Sequence, residues 1–319
     1  MFSILFGFGA STVRGQVSQN TVEHGRYLSR PVPATLDVYG YSRFPERKED
    51  AWGARNAIGP PLQDAHHVIG LFSTLSGRRI EDQTSRGLTL EMRGRFRLAP
   101  KLELSTQWAA IRSQVQDGER ESGFMTSNPY VSLSARIQDR FSVQRFGAGV
   151  SVPLATKSQS TPLDADSAAL DLAIGSAAFR EFHLWIRDTY SLTGHYETLR
   201  RVGNAVTVSR VELILQLYSE DTFVEGHRGD LALSAVTGIG GAFGQGSHAG
   251  VRFSAYWIPT LENALGRDLF QLGLEPYIEI AIGSLSLVSQ LTLNLDPPYG
   301  WSFSDGGVWG LDVGALFRL

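Results

Sequence analysis

The sequence predicts an all-β chain: an antiparallel up-and-down β-barrel whose strands cross a membrane, about 12 in number with 14 as the other even count. Three observations predict it. Apolar and polar residues alternate strictly along most of the chain, the period of a half-buried strand and not of a helix. The alternating runs reach roughly ten residues or more, enough for a tilted strand to cross a bilayer, whereas strands of a soluble sandwich run about 5 to 6. Tight turns also alternate with long connections rich in glycine and proline, at 45–66, 113–128, 156–166, 239–248, 259–268 and 296–306.

Taken in order, Leu88, Leu90, Met92, Phe96 and Leu98 oppose Thr89, Glu91, Arg93, Arg95 and Arg97. A turn at Ala99, Pro100 and Lys101 leads to Leu102, Leu104, Trp108 and Ala110, which completes a hairpin. Val131, Leu133, Ala135 and Ile137 follow, and a turn at 138–140 leads to a strand over 141–154. In that strand Phe141 and Val143 sit on odd positions while Ala148, Val150 and Val152 sit on even ones, which predicts a bulge near 144–146. Leu170, Leu172 and Ile174 read as one strand, and Leu184, Ile186, Tyr190, Leu192 and Tyr196 as its neighbour. Further strands follow at Val211 to Leu217, Leu231 to Ala235, Val251 to Trp257, Leu272 to Ile282, Leu285 to Leu295 and Trp309 to Leu319. A weaker one at 35–44 brings the count to an odd 13. Because single-chain bacterial barrels have even counts, either 35–44 is not a strand, giving 12, or 66–75 is an additional one, giving 14.

Composition removes other classes. The net charge is only -3, from 29 basic and 32 acidic residues, so no basic surface for nucleic acid is implied. The absence of cysteine excludes disulfides, thiolate metal sites and cysteine nucleophiles. With 42% apolar residues the chain folds, yet no run approaches the ~18 to 20 apolar residues of a membrane-spanning helix. The apolar run 2–10, with Gly7, Gly9 and Ala10, reads as the core of a secretory signal, although no Lys or Arg precedes it; a buried strand is the other reading. The domain plan is thus a candidate signal segment at 1–15 and a single barrel domain at 16–319.

The outward faces are leucine-rich, and Tyr130, Tyr196, Tyr218, Trp257, Trp301 and Trp309 recur near strand ends, as interfacial girdles require. Leu213 is expected on lipid, where an arginine is costly, and Gln216 in the lumen, where one is tolerated. The closing run Gly310-Leu311-Asp312-Val313-Gly314-Ala315-Leu316-Phe317-Arg318-Leu319 resembles the C-terminal strand of bacterial outer-membrane β-barrel proteins. Members usually end in Phe, whereas this chain ends in Leu319 with Phe317 two before it. The resemblance implies location in the outer membrane of a Gram-negative bacterium, contact with outer-membrane lipid, and an assembly signal at Phe317 and Leu319 read by the barrel assembly machinery. It names an architecture and no subfamily, and it identifies no solute.

Inward positions carry both signs of charge, and Glu91, Arg93, Arg95, Arg97, Glu103, Arg136, Arg187, Arg210, Glu212, Arg252, Glu275 and Glu279 are the expected pore lining. They read equally as a polar pore wall or as ion pairs that fill a narrow lumen. The stripe Arg93, Arg95, Arg97 is the sharpest candidate for attracting anions. The expected function is a narrow, porin-like channel or transporter for small polar solutes. A lipid hydrolase is the alternative in another class, resting on His183 and His195 with Ser191 and Asp188, although both histidines sit at opposite ends of one expected strand; a structural or surface-interaction barrel is the third. His66 and His67 lack a third ligand, and the glycine-rich 238–246 lacks a following helix, so no metal and no cofactor are expected.

Overall fold

The computed structural model describes residues 67–117, 119–138, 142–156, 163–202, 204–219, 228–243, 247–262, 268–296 and 299–319. The signal segment and the strand expected at 35–44 lie outside the described residues. In chain order the elements are β1 (His67–Ile80), β2 (Gln83–Ala99), β3 (Leu102–Asp117), β4 (Glu119–Thr126), β5 (Tyr130–Gln138), β6 (Ser142–Ser151), α1 (Leu163–Gly175), α2 (Phe182–Trp185), β7 (Thr189–Val202), β8 (Ala205–Tyr218), β9 (Gly229–Phe243), β10 (Ser247–Glu262), β11 (Asp268–Ile282), β12 (Leu285–Asn294) and β13 (Val308–Arg318).

Each strand pairs antiparallel with its neighbours, and β1 pairs with both β2 and β13. With the β2 to β3 and β3 to β5 ladders in place, the neighbours close into a ring of 12 strands. The seam is finished by Leu319, whose N–H donates to the His67 carbonyl at 2.9 Å. β4 is the extra strand. It continues the line of β5 beyond a break at Ser127, Asn128 and Pro129 and pairs only with the far half of β3. The expected 12 is therefore right, but its membership changes: of the run 66–75, residues 67–75 lie in a strand, β1, and the run around Leu170 does not form one.

The outer wall explains why the ring sits in lipid. Leu71, Leu90, Met92, Leu133, Leu213 and Val313 are each 45 to 59% exposed, and an apolar belt of this kind around a closed barrel has no stable place in water. Closure also satisfies the edge groups that lipid leaves unpaired. The chain is thus a bacterial outer-membrane β-barrel. Five connections, after β2, β5, β7, β9 and β11, are short and lie at the end where β1 begins and β13 finishes; the opposite end carries the long ones, from β6 to β7, β8 to β9 and β12 to β13. Short turns face the periplasm and long connections the outside.

Several local expectations change. No bulge interrupts β6: its ladder with β5 runs without a shift, and Val143, like Arg145, turns into the lumen. The expected loop 113–128 is the end of β3 followed by β4. Its apolar residues Ile111, Val115 and Met125 point inward and are buried, so the usual outward-apolar pattern is inverted there. Tyr196, Trp257 and Trp301 do lie exposed on the outside, but Tyr130 is buried in the lumen, where its hydroxyl shares a hydrogen bond with Thr193 at 2.8 Å, and Tyr218 bonds Asp230.

Gln216 is 0% exposed, so the expectation that it tolerates arginine also falls. Both Leu213→Arg and Gln216→Arg should therefore destabilise, the first by about 2 to 4 kcal/mol through charge on lipid and the second by overpacking of about 1 to 3 kcal/mol. Urea titration of the protein folded into lipid vesicles measures both.

Candidate functional site: a charged lumen closed by a folded insertion

Between β6 and β7 the chain turns back into the barrel from the external end. α1 packs on β3 and β4, and the turn after it leads to α2 and out to β7. Sequence periodicity misreads this segment because Leu170, Leu172 and Ile174 alternate like a strand, whereas its many small residues let a helix fit inside the ring. Ala165, Ala169, Leu172, Ala173, Ala177, Ala178 and Trp185 are all 0% exposed. Of these, Ala169, Leu172, Ala173 and Trp185 form one cluster with the inward apolar residues Ile111, Met125, Ile214, Ile258 and Val308. This contact is the reason the lumen side of β3 and β4 is apolar.

The wall is shaped to receive the insertion. A Cβ on Gly123 would run into the Ala165 carbonyl, and one on Gly310 into the backbone of Ser176, so glycine at these two positions lets the inserted backbone approach closely. Asn128, at the break between β4 and β5, ties the exit. Its N–H donates to the Leu184 carbonyl at 2.6 Å and its Nδ2 to the Ile186 carbonyl at 2.7 Å. From the far wall Asn294 Nδ2 donates to the Gly175 carbonyl at 2.8 Å. Between the helices Ala178 and Phe179 take positive φ, 48° and 65°, a costly conformation for residues with side chains. It is held by Phe179 packing against Phe182, Tyr256 and Tyr299.

Two charged residues at this bend reach two different strands of the wall, β11 and β2. Arg180 Nη1 donates to Glu275 Oε2 at 2.8 Å, and Arg93 Nη2 donates to Glu181 Oε1 at 2.9 Å. Glu275 also accepts from Ser254 at 3.0 Å and from Gln290 at 2.9 Å. Arg78 pairs with Asp171 of α1, which also accepts from the Tyr299 hydroxyl at 3.3 Å. Burial pushes the Asp171 carboxyl above its ordinary value, against the pull of Arg78. His183 of α2, outside the membrane-spanning strands, is held below the usual imidazole range by burial, with Arg210 adding to the effect and Glu212 and Glu181 opposing it. Its Nδ1 and the Trp185 Nε1 have no hydrogen-bond partner among the described residues.

Toward the periplasmic end the lumen is charged. Arg145 bridges Glu103 at 2.9 Å and Glu197 at 2.8 Å, with Arg136 3.7 Å from Glu103. Arg210 donates to Glu212 at 2.9 Å. Near the β11 to β12 turn, Glu279 meets Arg318 at 3.4 Å and His248 at 3.8 Å. Of the expected lining residues, Glu91, Glu103, Arg136, Glu212, Arg252, Glu275 and Glu279 do point inward but are buried in such contacts. Arg93, Arg95, Arg97 and Arg210 point inward and keep partial exposure. Arg187 stands apart, in the turn before β7 and not on a strand. The arginine stripe is also uneven: Arg93 is neutralised by Glu91 and Glu181, while Arg95 feels Arg145 and Arg210 as well as Glu103 and Glu197.

The residues named for hydrolysis do not assemble. Ser191 Oγ donates to the His183 carbonyl at 3.4 Å and not to an imidazole. His195 Nε2 instead meets Ser134 Oγ at 3.1 Å, across Gly147, where any Cβ would strike both groups. Its Nδ1, where the orienting group of a Ser–His nucleophile would bond, has no hydrogen-bond partner among the described residues. Phe317 and Leu319 lie exposed on the outer wall, with Phe317 between Ile69 and Leu285 at the seam.

No protein-family model and no curated protein sequence match the chain. Among solved structures it is similar to the translocator domain of the autotransporter NalP from Neisseria meningitidis, at 10% identity and a TM-score of 0.45, over 80% of this chain and 88% of that one. It is also similar to an outer membrane channel from Pseudomonas putida F1, at 11% identity and 0.49, over 80% and 96%. LpxR from Salmonella typhimurium aligns at 11% identity and 0.38, over 78% and 100%.

Removing one member of a buried, hydrogen-bonded charge group leaves the others uncompensated, at a cost of about 3 to 5 kcal/mol. Glu103→Ala, which removes the carboxylate that Arg145 and Arg136 share and leaves Glu197 alone beside Arg145, should lose up to that much stability in denaturant titration while keeping the far-ultraviolet signal of a barrel.

Proposed function

We propose that the chain is a narrow outer-membrane channel for small polar solutes, shut in this conformation by the insertion between β6 and β7. The observation that carries the reading is the division of the lumen. Its outer half is occupied by a separately folded segment on an apolar seat, and its inner half is lined by charged side chains with residual water access at Arg95, Arg97 and Arg210. Twelve strands support this, since eight leave an interior just filled by wall side chains and sixteen or more leave an open aqueous channel. A ring of intermediate size has room for one helical segment.

The contacts that hold the segment suit a removable part. Two ion pairs fix its bend, water can replace both, and the unpaired Nδ1 of His183 and Nε1 of Trp185 each carry a burial penalty of about 1 to 3 kcal/mol that release would relieve. Assembly by the barrel machinery through Phe317 and Leu319 belongs to the same reading.

Planar-bilayer recording tests it. The wild-type protein should conduct little, and replacing residues 163–186 with a short Gly/Ser linker should open a steady conductance. In that background Arg95→Gln with Arg97→Gln should move the reversal potential toward cation selectivity. A linker variant that stays silent would mean that the charged inner half is itself closed.

Acid should favour opening. Packed His183 has its pKa below the ordinary value of about 6.5 that a released segment would restore. At His183 the released state therefore binds more protons, and its population grows as pH falls below about 6.5, until Asp171, whose carboxyl is raised in the packed segment, takes up protons there and opposes further release. The groups facing His183 are Tyr130, Arg210 and Glu212 on the wall and Glu181 beside it. Open probability should rise between about pH 7.5 and 5.5 in the wild type, and His183→Asn should flatten that rise.

A further inference from the structure

We infer that the outer wall over β1, β2 and β3 is a docking surface for a phosphorylated glycolipid of the outer leaflet. The odd residues of β1 and the even residues of β2 and β3 face outward. Toward the external end these columns change from Leu75, Leu88 and Ala110 to Arg79, Arg86 and Arg112, all three exposed. The ladders make them successive diagonal neighbours: Arg79 pairs with Thr84, two residues from Arg86, and Arg86 pairs with Gln114, two residues from Arg112. Diagonal partners lie about 7 to 8 Å apart, within reach of long side chains. Among the described residues no ion pair engages Arg86 or Arg112, and the guanidinium of Arg79 donates to the Glu81 carbonyl at 3.1 Å.

The patch belongs to one sector. At the same boundary the outward columns of β7, β8, β10 and β11 present Tyr190, Leu217, Trp257 and Phe270, and the described basic residues near that end, Arg187 before β7 and Arg228 before β9, stand singly and not as a row across neighbouring strands. A groove of 440 Å³ opens beside the arginines, between Leu75, Trp309 and Phe303. The Trp309 ring lies flat over Gly77, where a Cβ would meet it. Phe303, 63% exposed, stands at the rim with its ring 6.1 Å from that of Trp301.

An unpaired arginine at the edge of an apolar belt faces headgroups, and its planar donors match phosphate oxygens in pairs. The pattern fits one molecule with three parts: acyl chains on Leu75 and Leu88, a sugar on the Trp309 and Phe303 rings, and phosphate on the arginines. A neutral lipid would leave the charges unanswered, and a free anion would leave the apolar groove empty.

Native mass spectrometry of the detergent-purified protein tests this with three probes: bisphosphorylated lipid A, its fully dephosphorylated form, and inorganic phosphate. The wild type should retain the first and not the second, and millimolar phosphate should not displace it. Replacing Arg79, Arg86 and Arg112 with Gln should weaken retention at least about tenfold, and lysine at the same positions, which keeps the charge without the paired donors, should restore only part of it. Heat-modifiable gel migration verifies the fold, and Arg86→Gln alone serves if the triple variant does not assemble. Equal retention of the dephosphorylated lipid, displacement by phosphate, or unchanged retention by the glutamine variants would overturn the inference.

Discussion

Everything in this barrel follows from the impossibility of leaving a backbone N–H or C=O unpaired in hydrocarbon. A strand that crosses a bilayer must have a partner on each side, so the sheet has to return to its own first strand, and β1 meets β13 through a continuous ladder. Closure then divides every strand into a face for lipid and a face for the interior. The apolar belt answers the first demand. The second creates a problem that side chains alone do not solve, because a ring of 12 strands encloses more space than its own inward residues fill.

The chain solves that problem in two ways along one axis. Toward the periplasmic end, arginines and carboxylates on neighbouring strands interlock, and such pairs tolerate burial because each partner is hydrogen-bonded as well as charged. Arg145 between Glu103 and Glu197 is the clearest case. Toward the outside, the segment between β6 and β7 supplies a small hydrophobic core of its own, so the wall opposite it turns apolar on the inside. A soluble-type core and a lipid-facing belt thus lie on opposite sides of the same strand. Ile111 and Arg112 are adjacent residues serving the two environments, one buried in the lumen and one exposed at the lipid boundary.

The same division explains which functional residues sequence reasoning reached. Inward charges such as Glu91, Glu103 and Glu275 were legible because parity alone assigns a face on a regular strand. Their partners were not, since Arg180 with Glu275 and Arg93 with Glu181 join residues far apart in the chain. Ser134 with His195 is another such contact, made possible by Gly147 on the strand between them. The signal available beforehand was the run of small residues around α1 and before α2, unusual for a membrane strand and suited to close packing inside a ring.

Sequence by itself determined the class, the alternation and most of the lipid-facing columns, because these are local consequences of a two-residue period and of bilayer thickness; the even strand number came from the closure rule and not from the alternation, which counted 13. Tertiary structure decided which segments make up the twelve, that Leu170 to Ile174 coils into a helix, and that this helix packs on the inner wall of the ring. The physical reason is that a strand and a short apolar helix share the same local pattern. Only the space left inside the closed ring, and the apolar seat that Ile111, Ile214 and Ile258 provide there, favours the helix.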